Sequence, residues 1–205
     1  MKIIKKDIAE RVNQNLDIEV TDAQCAIAVD SLLDVMTDKL VLGYPIRLQG
    51  VGKLFPYFKK GGRLVRNPKT GETMPMEDRF VVSFITRTNR SLAEKNDKHT
   101  LSLWDLIHAV ADHPSMIKAK FGLHKNLIKV SETTVRVFSE IVQESREQCG
   151  VVELRGFGVF KTTSSERREV RNPKTNETIK LPEGEKCIRT VFREGKMLKK
   201  AMNGG

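Results

Sequence analysis

The 205-residue sequence predicts an α+β fold built from two tandem units, each running helix, helix, then a long β-hairpin. Three observations carry this: an internal repeat, helical periodicity early in each unit, and strand chemistry late in each unit. Arg66-Asn67-Pro68-Lys69-Thr70 recurs letter for letter as Arg171-Asn172-Pro173-Lys174-Thr175, and each copy continues, after Gly71 or Asn176, into Glu-Thr. Upstream, Leu48-Gln49-Gly50-Val51-Gly52 answers Leu154-Arg155-Gly156-Phe157-Gly158. The two matches are collinear, at offsets of 105 and 106 residues, which marks a duplicated unit rather than a chance match. The units therefore span 1–94 and 101–205, joined by a linker at 95–100 that is polar and lacks an apolar period.

In the first unit, Ile4, Ile8 and Val12 share one helical face, and Ala26, Val29, Leu33, Met36 and Leu40 follow at steps of three and four. Thr21 to Gln24 has the form of a capping box, and Gly43 suits the exit of this second helix. Ile46, Leu48, Leu54 and Phe55 then bring strand chemistry around two glycines. A polar basic stretch leads to a returning strand at Phe80-Val81-Val82-Ser83-Phe84-Ile85. In the second unit, Ser102-Leu103-Trp104-Asp105 opens a short helix carrying Leu103, Ile107 and Val110, which Pro114 prevents from continuing. Leu127, Val130, Val135, Val137, Phe138, Ile141 and Val142 give the next helix a broad apolar face ending near Gly150. Strands are expected within 151–160 and 188–192, with a short basic helix from Gly195 to Lys200. The stretch between Asp112 and Asn126 is longer than its counterpart in the first unit.

Lys and Arg total 36 against 26 Asp and Glu, a formal charge of +10, and this excess points to a polyanionic partner. Its distribution is sharper evidence than its size. Residues 44–90 hold 10 basic and 3 acidic side chains and residues 151–205 hold 13 and 7, whereas 1–43 hold 5 and 8 and 91–150 hold 8 of each. The positive charge thus belongs to the strands and hairpins. A surface made basic for solubility alone has no reason to spare both helical segments.

Other functional classes find little support. No apolar run approaches the roughly 18 residues of a membrane span, and no signal sequence follows the N-terminal lysines. Cys25, Cys149 and Cys187 are odd in number and widely spaced, which favours neither a disulfide framework nor a zinc site and fits a reducing compartment. His99, His108, His113 and His124 lack metalloprotease spacing, and no glycine-rich phosphate loop or dinucleotide fingerprint is present. The reading is of a non-enzyme with no cofactor, metal or small-molecule substrate. Trp104 and the scattered methionines are expected in the core.

Proline at each hairpin tip initiates a turn through its fixed φ. A rigid ring without an N–H at the end of a basic two-stranded arm can also wedge between base pairs while neighbouring cations hold phosphates. On Gly50-Val51-Gly52, on Gly156-Phe157-Gly158-Val159-Phe160, on both R-N-P-K-T tips and on Gly195-Lys196-x-Leu198-Lys199, each unit resembles a subunit of the HU and integration host factor family of bacterial architectural DNA-binding proteins. The resemblance spans nearly the whole chain. It implies a helical base, a curved antiparallel sheet above it, and two arms reaching round duplex DNA in the minor groove. Because both copies lie in one chain, it implies a monomeric intramolecular pseudo-dimer, cytoplasmic and associated with the nucleoid.

The family pattern assigns intercalation to Pro68 and Pro173. It assigns arm contacts to Lys59, Lys60, Arg63, Arg66, Asn67 and Lys69 in the first unit and to Arg167, Arg168, Arg171, Asn172 and Lys174 in the second. Lys53, Lys161, Lys196, Lys199 and Lys200 are assigned to the saddle. The implied function is DNA bending or compaction with low sequence specificity. The alternatives are site-specific bending, as by integration host factor, or an HU-like module that binds a protein or RNA. The units also differ: Val51 stands where the family prefers phenylalanine, Thr88-Asn89-Arg90 answers Glu194-Gly195-Lys196, and the first arm is one residue longer between its glycine and its arginine.

Overall fold

The computed structural model describes residues 2–66, 69–85, 99–166, 169–171, 178–180 and 186–204, with backbone alone at 165–166, 169–171, 178–180 and 186–187. The first unit comprises β1 (Lys2–Ile4), α1 (Lys5–Gln14), α2 (Asp22–Val41), β2 (Ile46–Leu48), β3 (Gly52–Lys59), β4 (Leu64–Arg66), β5 (Thr73–Pro75) and β6 (Arg79–Ile85). The second comprises α3 (Leu103–Ala111), α4 (Pro114–Lys118), α5 (His124–Glu147), β7 (Val151–Leu154), β8 (Gly158–Glu166), β9 (Glu169–Arg171), β10 (Thr178–Lys180), β11 (Lys186–Glu194) and α6 (Lys196–Asn203).

The helix ends follow their local chemistry. At the start of α2, Gln24 N–H donates to Thr21 Oγ1 at 3.2 Å while Thr21 N–H donates to Gln24 Oε1 at 2.9 Å. At its end the chain turns through Gly43, whose φ of +86° disfavours any side chain. Thr21→Ala is expected to lower stability by about 0.5 to 2 kcal/mol, read from the urea midpoint at unchanged m-value. Ser102 and Asp105 make the same reciprocal cap on α3, with Ser102 N–H donating to Asp105 at 2.8 Å.

The residues between Asp112 and Asn126 form an additional turn, with Pro114 at the start of α4. This turn drops Met116 and Phe121 into the core, and its end is tied to the first unit where Gln24 Nε2 donates to the Ala119 carbonyl at 2.9 Å.

Three expectations are corrected. Ile4 does not join the buried face of Ile8 and Val12: it is 43% exposed, because residues 2–4 form a strand whose alternation sends Ile3 inward and Ile4 outward. Ala26 is exposed on α2 while Val29, Leu33, Met36 and Leu40 are buried. Residues 151–160 do supply strands, β7 and β8, turned at Arg155-Gly156-Phe157, and Gly158 is held by close approach: an added Cβ would meet the Phe192 ring at 2.5 Å and the Arg193 carbonyl at 2.6 Å. Trp104 is 67% exposed and lies against the His108 ring, with centroids 4.2 Å apart, because it falls outside the buried face of α3 formed by Leu106, Ile107, Val110 and Ala111. Met74 and Met197 are exposed too, whereas Met36 and Met116 are buried.

The sheets run β1-β7-β8-β11 and β2-β3-β6, and two short ribbons, β4-β5 and β9-β10, extend the hairpins. The units exchange edges. β1 pairs in parallel with β7, matching Ile3 to Val152, and Leu101 makes an isolated parallel bridge with Ile46 on the opposite side. Helices and sheets from both units enclose one apolar cluster. Phe160 lies at its centre, with ring centroids 4.7 Å from Phe192, 6.2 Å from Phe138 and 5.5 Å from Phe84, the last from the first unit. The pair Arg11–Glu144, at 2.7 Å, also joins the units and, being half-exposed, contributes little.

Candidate nucleic-acid interface

Directly paired strand residues share a face, so the register divides each sheet into two sides. Leu54 with Phe84, Phe160 with Phe192, and Thr162 with Thr190 face the core. The opposite side of the first sheet carries Arg47 paired with Lys53, and Lys59 paired with Arg79. That of the second carries Lys161 paired with Val191, Arg189 with Thr163, and Arg193 with Val159. Arg47, Lys59, Lys161, Arg189 and Arg193 are exposed, and Lys53 and Arg79 are half-buried. The Lys53 ammonium lies 5.5 Å from the centre of the Phe55 ring, which holds its charge on that side through a cation–π contact.

The expected saddle residues Lys53 and Lys161 are therefore placed on corresponding faces. The structure adds Arg47, Arg79, Arg189 and Arg193, which sequence reasoning missed. Their signal was the period-two alternation of Arg189-Thr190-Val191-Phe192-Arg193, cation out and aromatic in.

Each sheet leads into a ribbon with the same closure. Arg66 pairs with Thr73 and Arg171 with Thr178, so in both ribbons six residues lie between the arginine and its partner. Lys59, Lys60, Arg63, Arg66 and Lys69 are exposed along the first ribbon and its base, and Arg66 Nε donates to the Gly71 carbonyl at 3.2 Å. Asn67, Pro68, Arg167, Arg168, Asn172, Pro173 and Lys174 lie outside the described residues, and Arg171 is described by backbone alone.

The two sheets meet where β6 lies beside β11. No backbone ladder crosses this seam among the described residues. Instead, side chains of the second unit satisfy the edge of β6. Asn203 Oδ1 accepts from Phe80 N–H at 2.8 Å and its Nδ2 donates to the Phe80 carbonyl at 3.1 Å, while the Glu194 carboxylate accepts from Val82 N–H. Burial pushes the Glu194 carboxyl above the usual carboxylate range, opposed by the Val82 hydrogen bond and by the charges of Arg79 and Lys199.

Leu198 and Met202 anchor α6 in the core, leaving Lys196, Lys199 and Lys200 exposed. Lys199 turns toward the first unit and lines a cleft with Arg66, Arg79 and Asn203. No helix among the described residues is long and apolar enough to cross a membrane, and no cluster of three or more potential metal ligands occurs among them.

The family model of bacterial DNA-binding proteins matches the chain twice, at residues 3–94 and 105–203. The DNA-binding protein HU of Lactococcus lactis is 41% identical over 86 residues, covering 42% of this chain and 88% of that protein. Integration host factor subunit alpha of Xanthomonas campestris is 36% identical over 95 residues, covering 46% of this chain and 91% of the relative. A cocrystal structure of Anabaena HU with DNA aligns to 49% of this chain and 95% of the HU chain, at 27% identity and a TM-score of 0.34. The duplicated sequence, the two cation-bearing sheets and the paired family matches lead to one conclusion: the chain belongs to the bacterial DNA-binding protein family.

Proposed function

We propose that this chain is an architectural protein that binds double-stranded DNA and bends or compacts it as a single-chain pseudo-dimer. Residues 1–94 and 101–205 act as the two half-saddles and 95–100 as the tether. The observation that carries the reading is the pairing of two cationic sheet faces across one seam, each leading into a ribbon with the same arginine-to-threonine closure. Lys53 and Lys161, joined by Arg47, Arg79, Arg189 and Arg193, hold phosphates over the saddle. Lys59, Lys60, Arg63, Arg66, Asn67 and Lys69, with Arg167, Arg168, Arg171, Asn172 and Lys174, follow the minor groove along the arms. Pro68 and Pro173 enter the base stack, and Lys196, Lys199 and Lys200 take flanking phosphates.

Phosphate contacts offset the cost of deformation. Smoothly bending 20 to 30 base pairs costs on the order of 1 to 6 kcal/mol. Unstacking adds about a few kcal/mol per wedged step, the scale known for minor-groove wedging by HU and integration host factor themselves. Such energies depend on the deformability of the duplex rather than on base-edge contacts, so any sequence preference enters through DNA shape, and the reading is of binding with mostly low sequence specificity.

The test is end-to-end fluorescence transfer on a short labelled duplex. The unmodified protein brings the ends together, and Pro68→Ala with Pro173→Ala reduces the bend more than the affinity. An unchanged bend in the double variant removes the wedge from the mechanism, and absence of duplex binding removes the function.

A further inference from the structure

We propose that the seam between the two sheets is a phosphate subsite in which Glu194 takes up a proton as DNA binds. The inference rests on the DNA-binding reading above and deepens it.

An open cleft of about 290 Å³ lies where β6 and β11 meet, with Val82 and Phe192 as an apolar floor and Arg79, Arg193, Glu194 and Lys199 around it. Arg79 comes from the first unit and the other three charged residues from the second, so the cleft exists only when both units are joined. Glu194 is close enough to Arg79 and Lys199 to feel their charges, yet neither closes an ion pair with it among the described residues. The Arg79 Nε–H is buried without an acceptor. An orphaned guanidinium donor costs free energy and calls for an oxygen partner.

Three cations converging on a cleft with one donor unused suit a phosphate oxygen. Glu194 opposes that anion. Its carboxylate is fixed by the Val82 N–H and cannot swing away without leaving the edge of β6 unpaired. A phosphate entering beside it is a like charge, which favours the neutral carboxyl, and half-burial acts in the same direction. Protonation removes the repulsion and leaves Arg79 and Lys199 to the phosphate. The protonated carboxyl still accepts from Val82 through its carbonyl oxygen, so the seam stays closed.

The charged groups around Glu194 are Arg79 on β6, Lys199 on α6 and Arg193 on its own strand, with Asp78 and Lys196 next in sequence to these elements. The cations lower the Glu194 pKa in the free protein, and a phosphate that engages them removes that influence. The sign is therefore proton uptake on binding, and affinity that rises as pH falls.

The experiment compares the full chain with Glu194→Gln and Glu194→Ala on a random duplex of about 30 base pairs. Affinity is measured from pH 5.5 to 7.5, and proton uptake by calorimetry in buffers of different ionisation enthalpy. Gln retains an acceptor for Val82 and removes the charge. The expected result is tighter binding by Glu194→Gln at pH 7.5, by roughly tenfold, because a like charge beside the bound phosphate is removed. Its advantage shrinks toward pH 5.5, and it takes up fewer protons on binding than the unmodified chain. Equal proton uptake and equal affinity in the two overturn the proposal. So does a change confined to Glu194→Ala, which assigns Glu194 a structural role alone. Loss of duplex binding by the unmodified chain overturns the underlying function instead, a result distinguishable from either.

Discussion

Phe160→Ala is expected to destabilise the protein by about 3 to 5 kcal/mol, the range for removing a buried phenylalanine ring. Its side chain is 1% exposed and meets rings from α5, β11 and, across the unit boundary, β6. At about 2 to 4 °C per kcal/mol for a chain of this size, the melting temperature falls by roughly 6 to 20 °C. Because Phe84 and Phe160 belong to different units, both units lose structure in one transition. The midpoint is independent of protein concentration, since the partner unit is tethered at high effective concentration. Calorimetry over a hundredfold dilution checks both statements; two separated transitions, or a midpoint that rises with concentration, contradict them.

The second large effect is on DNA affinity. Each phosphate neutralised contributes about 0.9 to the log–log slope of affinity against salt, and 6 to 10 contacts imply a loss of roughly 10³ to 10⁵ between 50 and 200 mM salt. The cations on the two sheet faces, the first ribbon and α6 exceed that number, so the steep regime is expected. Anisotropy titrations at several salt concentrations give the slope directly. Single replacements such as Lys161→Gln or Arg193→Gln each reduce it by about 1 and weaken binding uniformly across duplex sequences. A slope near that of two or three contacts is incompatible with a saddle that grips through both sheets.

Much of the fold was legible because its signals are local. The capping box at Thr21, the exit at Gly43, the cap at Ser102 and the apolar face of α5 involve residues within one or two helical turns. The repeat likewise exposed the ribbons, whose closures coincide despite the extra residue in the first arm. Errors fell where a distant partner or the helix's own inward face overrode a simple expectation. Ile4 sits at helical spacing, yet pairing of residues 2–4 with β7 turns it outward. Trp104 reads as a core residue by size, yet Leu106, Ile107 and Val110 take the inward face of α3.

The candidate site divides in the same way. Lys53 and Lys161 follow from the family motif, and Arg189 and Arg193 were available from alternation. Arg47 and Arg79 needed the register to show which side of the sheet they occupy. Two homologous units, the fixed order of their helices and hairpins, and the placement of charge on the hairpins are all written in the chain. How the units interlock emerges in three dimensions alone: β1 against β7, Leu101 against Ile46, Phe84 against Phe160, and the bonds of Glu194 and Asn203 to the edge of β6. Those bonds join residues 112 and 123 positions apart, and a carboxylate or amide meeting a backbone N–H leaves no periodic trace in the chain, because the backbone group it satisfies is the same at every residue.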